Sequence, residues 1–358
     1  MKIRFHKTIF AVAYGTALTA FTGYAALDTF VIPKQYAVAL AREEAAVTPD
    51  EVLTEEADGA ADMVLSSSAD DGLDESNIPL SGSDESNIPL SGSHAVENSV
   101  PVSGNSASLS TEGASVVSSY EDGNMSITIY EYRTNDTTVY VADVRLSSPE
   151  YLQTALAGNT YGRNITEKTS EIADDADAIL AINGDFYGSR NAGYVIRNGV
   201  LYRDTAERDR EDLVIYEDGS FAMVSENDMS AQELLADGAA QVLSFGPALL
   251  ADGEIQVSET EEVGKAMASN PRTAIGIVSD LHYVFVVSDG RTDASEGLSL
   301  YELAAFLQGI GVVSAYNLDG GGSSTMVFRG EVVNNPTTRG NRVKERAVSD
   351  IVCIGGDS

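Results

Sequence analysis

From Val116 onward the chain shows the two-residue alternation of half-buried strands. Ile127 and Ile129 alternate with Ser126, Thr128 and Tyr130, and Thr138–Leu146 is β-branched and apolar. Between them Arg133-Thr134-Asn135-Asp136 supplies a turn. Ser148-Pro149-Glu150 reads as the start of a helix through Leu156, ended by Gly158. The apolar run Ile179–Ile182 predicts a buried strand leading into Asn183-Gly184-Asp185-Phe186-Tyr187. Further strands are expected at Leu213–Glu217, Ala240–Ser244, Thr273–Val278, Tyr283–Ser288, Val312–Leu318, Thr325–Phe328 and Asp350–Ile354. Two helices carry capping boxes, Ser230-x-x-Glu233 and Ser299-x-x-Glu302. Strands dominate, and helices do not alternate strictly with them. The expectation is therefore α+β: a single domain, 116–358, with a mixed, strongly twisted sheet and a few packed helices.

The N-terminal third follows other rules. Thr8–Leu27 carries no charged residue and is preceded by Lys2, Arg4 and Lys7. About 20 such residues span a bilayer as a helix, with the basic side cytoplasmic. This predicts a cytoplasmic tail at 1–7 and a transmembrane signal anchor at 8–28, with everything beyond it extracytoplasmic. Gly23-Tyr24-Ala25 offers the alternative of a cleaved signal and a secreted product, but the apolar run is long for a signal peptide. Residues 29–115 read as an acidic Ser/Gly-rich linker, with a short helix compatible with Pro33–Glu56. Asp74–Ser83 recurs unchanged at Asp84–Ser93, a tandem repeat best read as a disordered spacer. Such a spacer would hold the folded domain away from the membrane.

Composition narrows the chemistry. Asp and Glu outnumber Lys and Arg 55 to 22 in 358 residues, a formal charge of −33, which excludes the basic face that nucleic acid requires. Much of the acidity lies between Arg42 and Arg133, an interval without Lys or Arg. Cys353 is the single cysteine, and His6, His94 and His282 are the only histidines, so disulfide frameworks and multi-histidine zinc sites are excluded. No cofactor is implied. A divalent cation among the aspartates is left open, since no spacing matches a calcium loop.

Four polar clusters sit at the ends of apolar strands: Asn183–Tyr187, Asn270-Pro271-Arg272-Thr273, Ser288-Asp289-Gly290-Arg291 and Asn317-Leu318-Asp319-Gly320-Gly321-Gly322-Ser323-Ser324-Thr325. Taken singly, each is an ordinary turn signal. Together they offer Asp319, Asp289 and Asp185 as acid, base or nucleophile, and Arg272 and Arg291 as phosphate clamps. Three consecutive glycines imply close backbone approach or positive φ, and their amides form a candidate anion nest. Asn183, Asn317, Ser323, Ser324 and Thr325 complete the candidate substrate-binding set. Tyr187 and Tyr194 are candidate stacking surfaces for a sugar, beside the alternative that both belong to the core.

Asn-Gly-Asp-Phe-Tyr, Asn-Pro-Arg-Thr-Ala-Ile-Gly, Ser-Asp-Gly-Arg and Asn-Leu-Asp-Gly-Gly-Gly-Ser-Ser-Thr-Met-Val, in this order, resemble the phosphodiester glycosidase family. This is the domain type of the lysosomal uncovering enzyme and of bacterial exopolysaccharide-associated proteins. Val333-Asn334-Asn335-Pro336 and Arg346-Ala347-Val348 are similar to the family's ending, and the likeness covers about Val116–Gly356. With only Cys353, the chain departs from disulfide-bearing animal relatives. The resemblance implies hydrolysis of a sugar-1-phosphodiester at the glycosidic C1–O bond in cell-envelope or exopolysaccharide material. In that reaction Asp319 would serve at the sugar carbon, with Asp289 as second carboxylate and Asp185 third. The alternative is a non-catalytic glycan-binding or envelope-polysaccharide assembly protein of the same fold.

Overall fold

Asn135 and Asp136 both adopt positive φ, 45° and 49°, closing the tight hairpin between Met125–Thr134 and Thr137–Leu146. Asn and Asp tolerate this left-handed region better than other side chains, and the turn's twist matches that of the flanking strands. The computed structural model describes residues 14, 16, 18–28, 31–35, 40–41, 108–260, 269–339 and 342–355.

Three principal sheets form the domain. The first has eight strands, in the order Glu254–Ile255, Ala248–Ala251, Ser314–Asn317, Arg272–Ser279, His282–Ser288, Thr137–Leu146, Met125–Thr134 and Ser115–Glu121. The second, of six, runs Phe221–Ser225, Glu211–Tyr216, Ala239–Leu243, Val195–Arg197, Val200–Arg203 and Leu40–Ala41. The third, of five, runs Glu331–Val332, Met326–Phe328, Leu180–Asn183, Asp350–Ile354 and Leu152–Leu156.

The main core lies where these sheets face one another. Ile127, Phe285 and Tyr316 come from the first, Leu213 and Leu243 from the second, and Ile182 and Val352 from the third. The opposite face of the first sheet buries Val141, Val284 and Val286 against Leu300, Leu303 and Leu307 of the helix Leu300–Gly309. Two short helices, Ala231–Ala236 and Thr169–Asp175, cover the second and third sheets. Both expected capping boxes form, so Glu302 bonds its own helix N-terminus.

The sheet-rich α+β class stands, with two corrections. Among the described residues every strand pairing is antiparallel, so the expected mixed sheet is replaced by several antiparallel ones. Many neighbours are joined by short hairpins, which reverse the chain, whereas a parallel pair needs a crossover. The helix expected over Ser148–Leu156 is a single 3-10 turn, Pro149–Tyr151, followed by the strand Leu152–Leu156. Proline seeds the first turn, but Leu152 and Thr154 are buried at a spacing of two and the segment pairs with Asp350–Ile354.

Within the interval expected to be linker, Lys34–Gln35 pairs with Gly162–Arg163 and Leu40–Ala41 pairs with Val200–Leu201. Paired strands therefore replace part of the helix considered at Pro33–Glu56. The tandem repeat at 74–93 lies outside the described residues, as do residues 8–13, 15 and 17 of the expected anchor. Residues 18–28 are helical, with Leu18, Phe21, Tyr24 and Leu27 exposed. Among the described residues no helix is long and apolar enough to cross a membrane.

Candidate active site

The four polar clusters meet because antiparallel pairing places the start of one strand beside the ends of its neighbours. Arg272, opening its strand, pairs with Ser288 at the end of the next, and Ala274 pairs with Asn317 at the end of the third. The third sheet joins this edge through Asn183, whose side chain is fully buried. Its Nδ2 donates to the Asp319 carbonyl at 2.6 Å, and its Oδ1 accepts from Thr273 Oγ1 at 2.8 Å and from the Thr325 amide at 3.2 Å. The Asp319 amide in turn donates to Gly184 O at 3.3 Å. Asn183 is thus a clamp between sheets, with its amide group occupied by protein partners.

The three candidate aspartates have different surroundings. Asp185 is buried: its Oδ2 accepts from Arg197 Nη2 and the Ser244 amide, each at 2.9 Å, and its Oδ1 from the Tyr187 amide at 2.8 Å. The same Arg197 Nη2 lies 2.8 Å from Asp350, completing a buried Asp–Arg–Asp triad. Asp289 is buried as well, its Oδ1 accepting from the Asn335 amide at 2.8 Å and its Oδ2 from Asn335 Nδ2 at 2.9 Å. Asp319 alone is half-exposed. Its carboxyl is closely surrounded by protein, and desolvation raises its pKa. A hydroxyl bond from Ser323 to Oδ2 at 2.6 Å and the charge of Arg346 act in the opposite sense by favouring the carboxylate.

Three arginines gather around the glycine turn. Arg272 is buried and donates Nε to Leu298 O at 2.8 Å. Arg291 is exposed and holds Asn270 Oδ1 through Nη2 at 2.9 Å and Nε at 3.2 Å. Its pKa is lowered by desolvation and then by the positive charges of Arg346 and Arg272. Arg346 reaches Ser323 Oγ at 3.3 Å. Like charges drawn together cost energy unless an anion joins them.

The glycines make room for these side chains. A Cβ on Gly321 would lie 2.8 Å from Arg291 Nη2, and one on Gly322 would lie 3.0 Å from Arg346 Nη2. Gly321 also has φ +64°. Close approach and positive φ thus both occur, while several amides of the expected nest are engaged by protein acceptors. The Gly321 amide donates to Pro271 O at 2.8 Å, Ser323 and Ser324 amides donate within the turn at 3.3 Å, and the Gly320 amide serves the Asp319 carboxylate. The charged groups that face this turn are the guanidinium groups of Arg291 and Arg346.

Other expected site residues are withdrawn from solvent. Ser324, Thr325 and Asn317 are buried, and Asn317 Nδ2 donates to Gly246 O at 2.8 Å. Tyr187 and Tyr194 are core residues, so neither presents a face to a sugar. Arg346, Arg197 and Asp350 were absent from the candidate set. Arg346 stands in the Arg346-Ala347-Val348 segment of the family ending, which was the one available signal; nothing near Arg197 or Asp350 marks either. Among the described residues no group of three or more His, Cys, Asp or Glu is arranged to hold a metal ion.

Residues 176–355, half of the chain, match the family model described as phosphodiester glycosidase, a span holding all of these site residues. The SPbeta prophage-derived uncharacterized protein YomE of Bacillus subtilis (strain 168) is 29% identical over 199 residues, 54% of this chain and 30% of that protein. The N-acetylglucosamine-1-phosphodiester alpha-N-acetylglucosaminidases of Mus musculus and Homo sapiens are 29% and 30% identical over 204 residues, 51% of this chain and 39% of theirs. The chain therefore spans well under half the length of these curated relatives. The structure of the zebrafish enzyme's catalytic domain, auto-inhibited by its pro-peptide, aligns with a TM-score of 0.53 at 23% identity, covering 68% of this chain and 88% of that one. This last likeness is one of fold.

Proposed function

The chain belongs to the phosphodiester glycosidase family, and from that premise we propose that it hydrolyses a sugar-1-phosphodiester at the glycosidic C1–O bond. One observation carries the reading. Arg272, Arg291 and Arg346 converge beside the single half-exposed aspartate of the site, in a chain of formal charge −33. A cationic cluster in so acidic a protein fits an anionic group delivered next to a carboxylate.

In this reading the phosphate lies against Arg346 and Arg291, with the buried Arg272 charge behind them. Water adds to C1, the C1–O bond breaks, and its electron pair leaves with the phosphomonoester. Because that leaving group is a weak base, with a second pKa of about 6, guanidinium charge replaces much of the work of a general acid. Asp319, as carboxylate, faces the oxocarbenium-like centre or takes the proton of the attacking water. Ser323 and Arg346 favour the ionised form of Asp319 against the desolvation that raises its pKa. Asp289 and Asp185 act as positioning residues: Asp289 fastens Asn334-Asn335 beside the Asp319 loop, and Asp185 anchors the turn after Asn183.

The relatives' names make N-acetylglucosamine-1-phosphodiester the first substrate to test. An extracytoplasmic site of action on envelope or exopolysaccharide material, with membrane attachment through residues 8–28, is supported by the uncharged apolar stretch and its basic flank. The test is incubation of the purified chain with such a diester in H2 18O. Label in the released sugar supports the reading, and label in the phosphate, or no turnover, overturns it.

A further inference from the structure

Among the residues described from 108 onward, Phe186 is the one aromatic side chain that is exposed, at 39%. The turn that carries it is fixed at both neighbours. Asp185 is bound to Arg197 and the Ser244 amide, and also accepts from the amide of Tyr187 at 2.8 Å, closing an Asx turn over Phe186. Tyr187 is 1% exposed, stacks on Tyr161 with ring centroids 5.4 Å apart and lies under Arg197 at 5.7 Å. The Phe186 carbonyl accepts from the Ser189 amide at 3.2 Å. With both flanking side chains locked inward, the residue between them keeps 39% of its surface in water and forgoes that share of the stabilisation of burial.

Its position gives the exposure a purpose. Phe186 follows by two residues Gly184, whose carbonyl receives the Asp319 amide, and by three Asn183, whose side chain holds the Asp319 carbonyl. The arginines supply a place for phosphate, while the described polar groups nearby are largely engaged with protein. A sugar bound at Asp319 also has an apolar C–H face. A rigid aromatic ring is suited to cover such a face, removing apolar surface from water and adding dispersion contacts at little entropic cost.

We propose that Phe186 is the platform on which the sugar ring rests at the Asp319 site, a specificity-determining residue, and that the sugar rather than the phosphate is what it recognises. This rests on the placement of Asp319 at the sugar carbon. The chain contains no tryptophan, so Phe186→Trp installs a sole indole as reporter. The full-length variant is titrated with free hexoses, headed by N-acetylglucosamine, and separately with inorganic phosphate. In parallel, KM and kcat for a sugar-1-phosphodiester are measured in wild type, Phe186→Leu and Phe186→Ala.

A saturable change in indole emission with at least one hexose, and none with phosphate, is expected. Phe186→Ala should raise KM about tenfold or more, with kcat nearly unchanged and Phe186→Leu intermediate. An indole silent to every hexose, together with an unchanged KM in Phe186→Ala while wild type turns substrate over, overturns the platform and leaves the hydrolytic reading intact. A hexose response in a protein that turns over no phosphodiester supports the platform and overturns the hydrolytic reading instead.

Discussion

Ser323 donates its hydroxyl to Oδ2 of Asp319 at 2.6 Å, and Arg346 approaches that hydroxyl from 3.3 Å. A hydroxyl that bonds the charged form of a desolvated acid lowers its pKa, so Ser323 opposes the burial that raises it. If the reaction needs Asp319 ionised, kcat falls as pH falls through this raised pKa. Ser323→Ala should shift that acidic limb to higher pH, and Asp319→Asn should abolish it, with a loss of about 10²–10⁴-fold in kcat. A pH–rate profile of each variant checks both.

Arg346 reaches the same Ser323 hydroxyl, and in the proposed reading it also meets the phosphate. Arg346→Ala should lower kcat/KM for a sugar-1-phosphodiester by roughly ten- to a hundredfold, the value of a charge-assisted hydrogen bond. Arg346→Lys should recover little of it, since an ammonium lacks the planar fork. Weaker competitive inhibition by inorganic phosphate in both variants would assign the loss to the anion site.

The buried triad calls for a stability measurement. Arg197→Met leaves Asp185 and Asp350 facing each other without their shared cation, which should cost about 3–5 kcal/mol. Asp350 already has its pKa raised to about 7, by burial first. Protonation relieves the variant, so its deficit in chemical denaturation should be larger at pH 8 than at pH 5.

A second buried pair adds to the dependence of stability on pH. Asp212 is 1% exposed, and burial first, then the nearby charge of Glu226, raises its pKa to about 9. An acid whose folded pKa exceeds its unfolded one binds more protons when folded. Its stability contribution is full below about pH 4 and is lost as pH rises towards about 9. Wild type should therefore melt higher at pH 5 than at pH 8, and Asp212→Asn should flatten this difference in a calorimetric series.

The N-terminal pairing is open to a single-residue test. A Cβ on Gly162 would lie 1.9 Å from Lys34 O, a contact no side chain can occupy. Gly162→Ala should release Lys34–Gln35 from the Gly162–Arg163 strand. Limited proteolysis would show faster cleavage in that segment, with the melting temperature of the remainder changed by no more than a few degrees.

The sequence carried what local chemistry dictates. Alternation at Ile127 and Ile129 marked a strand, Asn135-Asp136 a hairpin, and Ser299 with Glu302 a helix start. The four loop clusters were visible because each pairs glycine with polar residues at the end of an apolar run. What stayed hidden depends on partners distant in sequence. Asp185 reads as a free acid until Arg197 and Asp350 close around it, and Asn183 reads as a ligand until it is seen holding Asp319. Ser148-Pro149 misled because a local helix-start signal was outweighed by pairing with Asp350–Ile354.

The pairing of Lys34–Gln35 and Leu40–Ala41 with the domain places attachment points on both sides of the repeat-bearing segment. The chain joins the domain before that segment, at Lys34, and joins it again at Leu109, whose side chain is buried, and Ser110, whose amide donates to Ile310 O at 2.9 Å. Removing residues 1–107 would therefore strip two strand pairings, at Gly162–Arg163 and Val200–Leu201, from the domain.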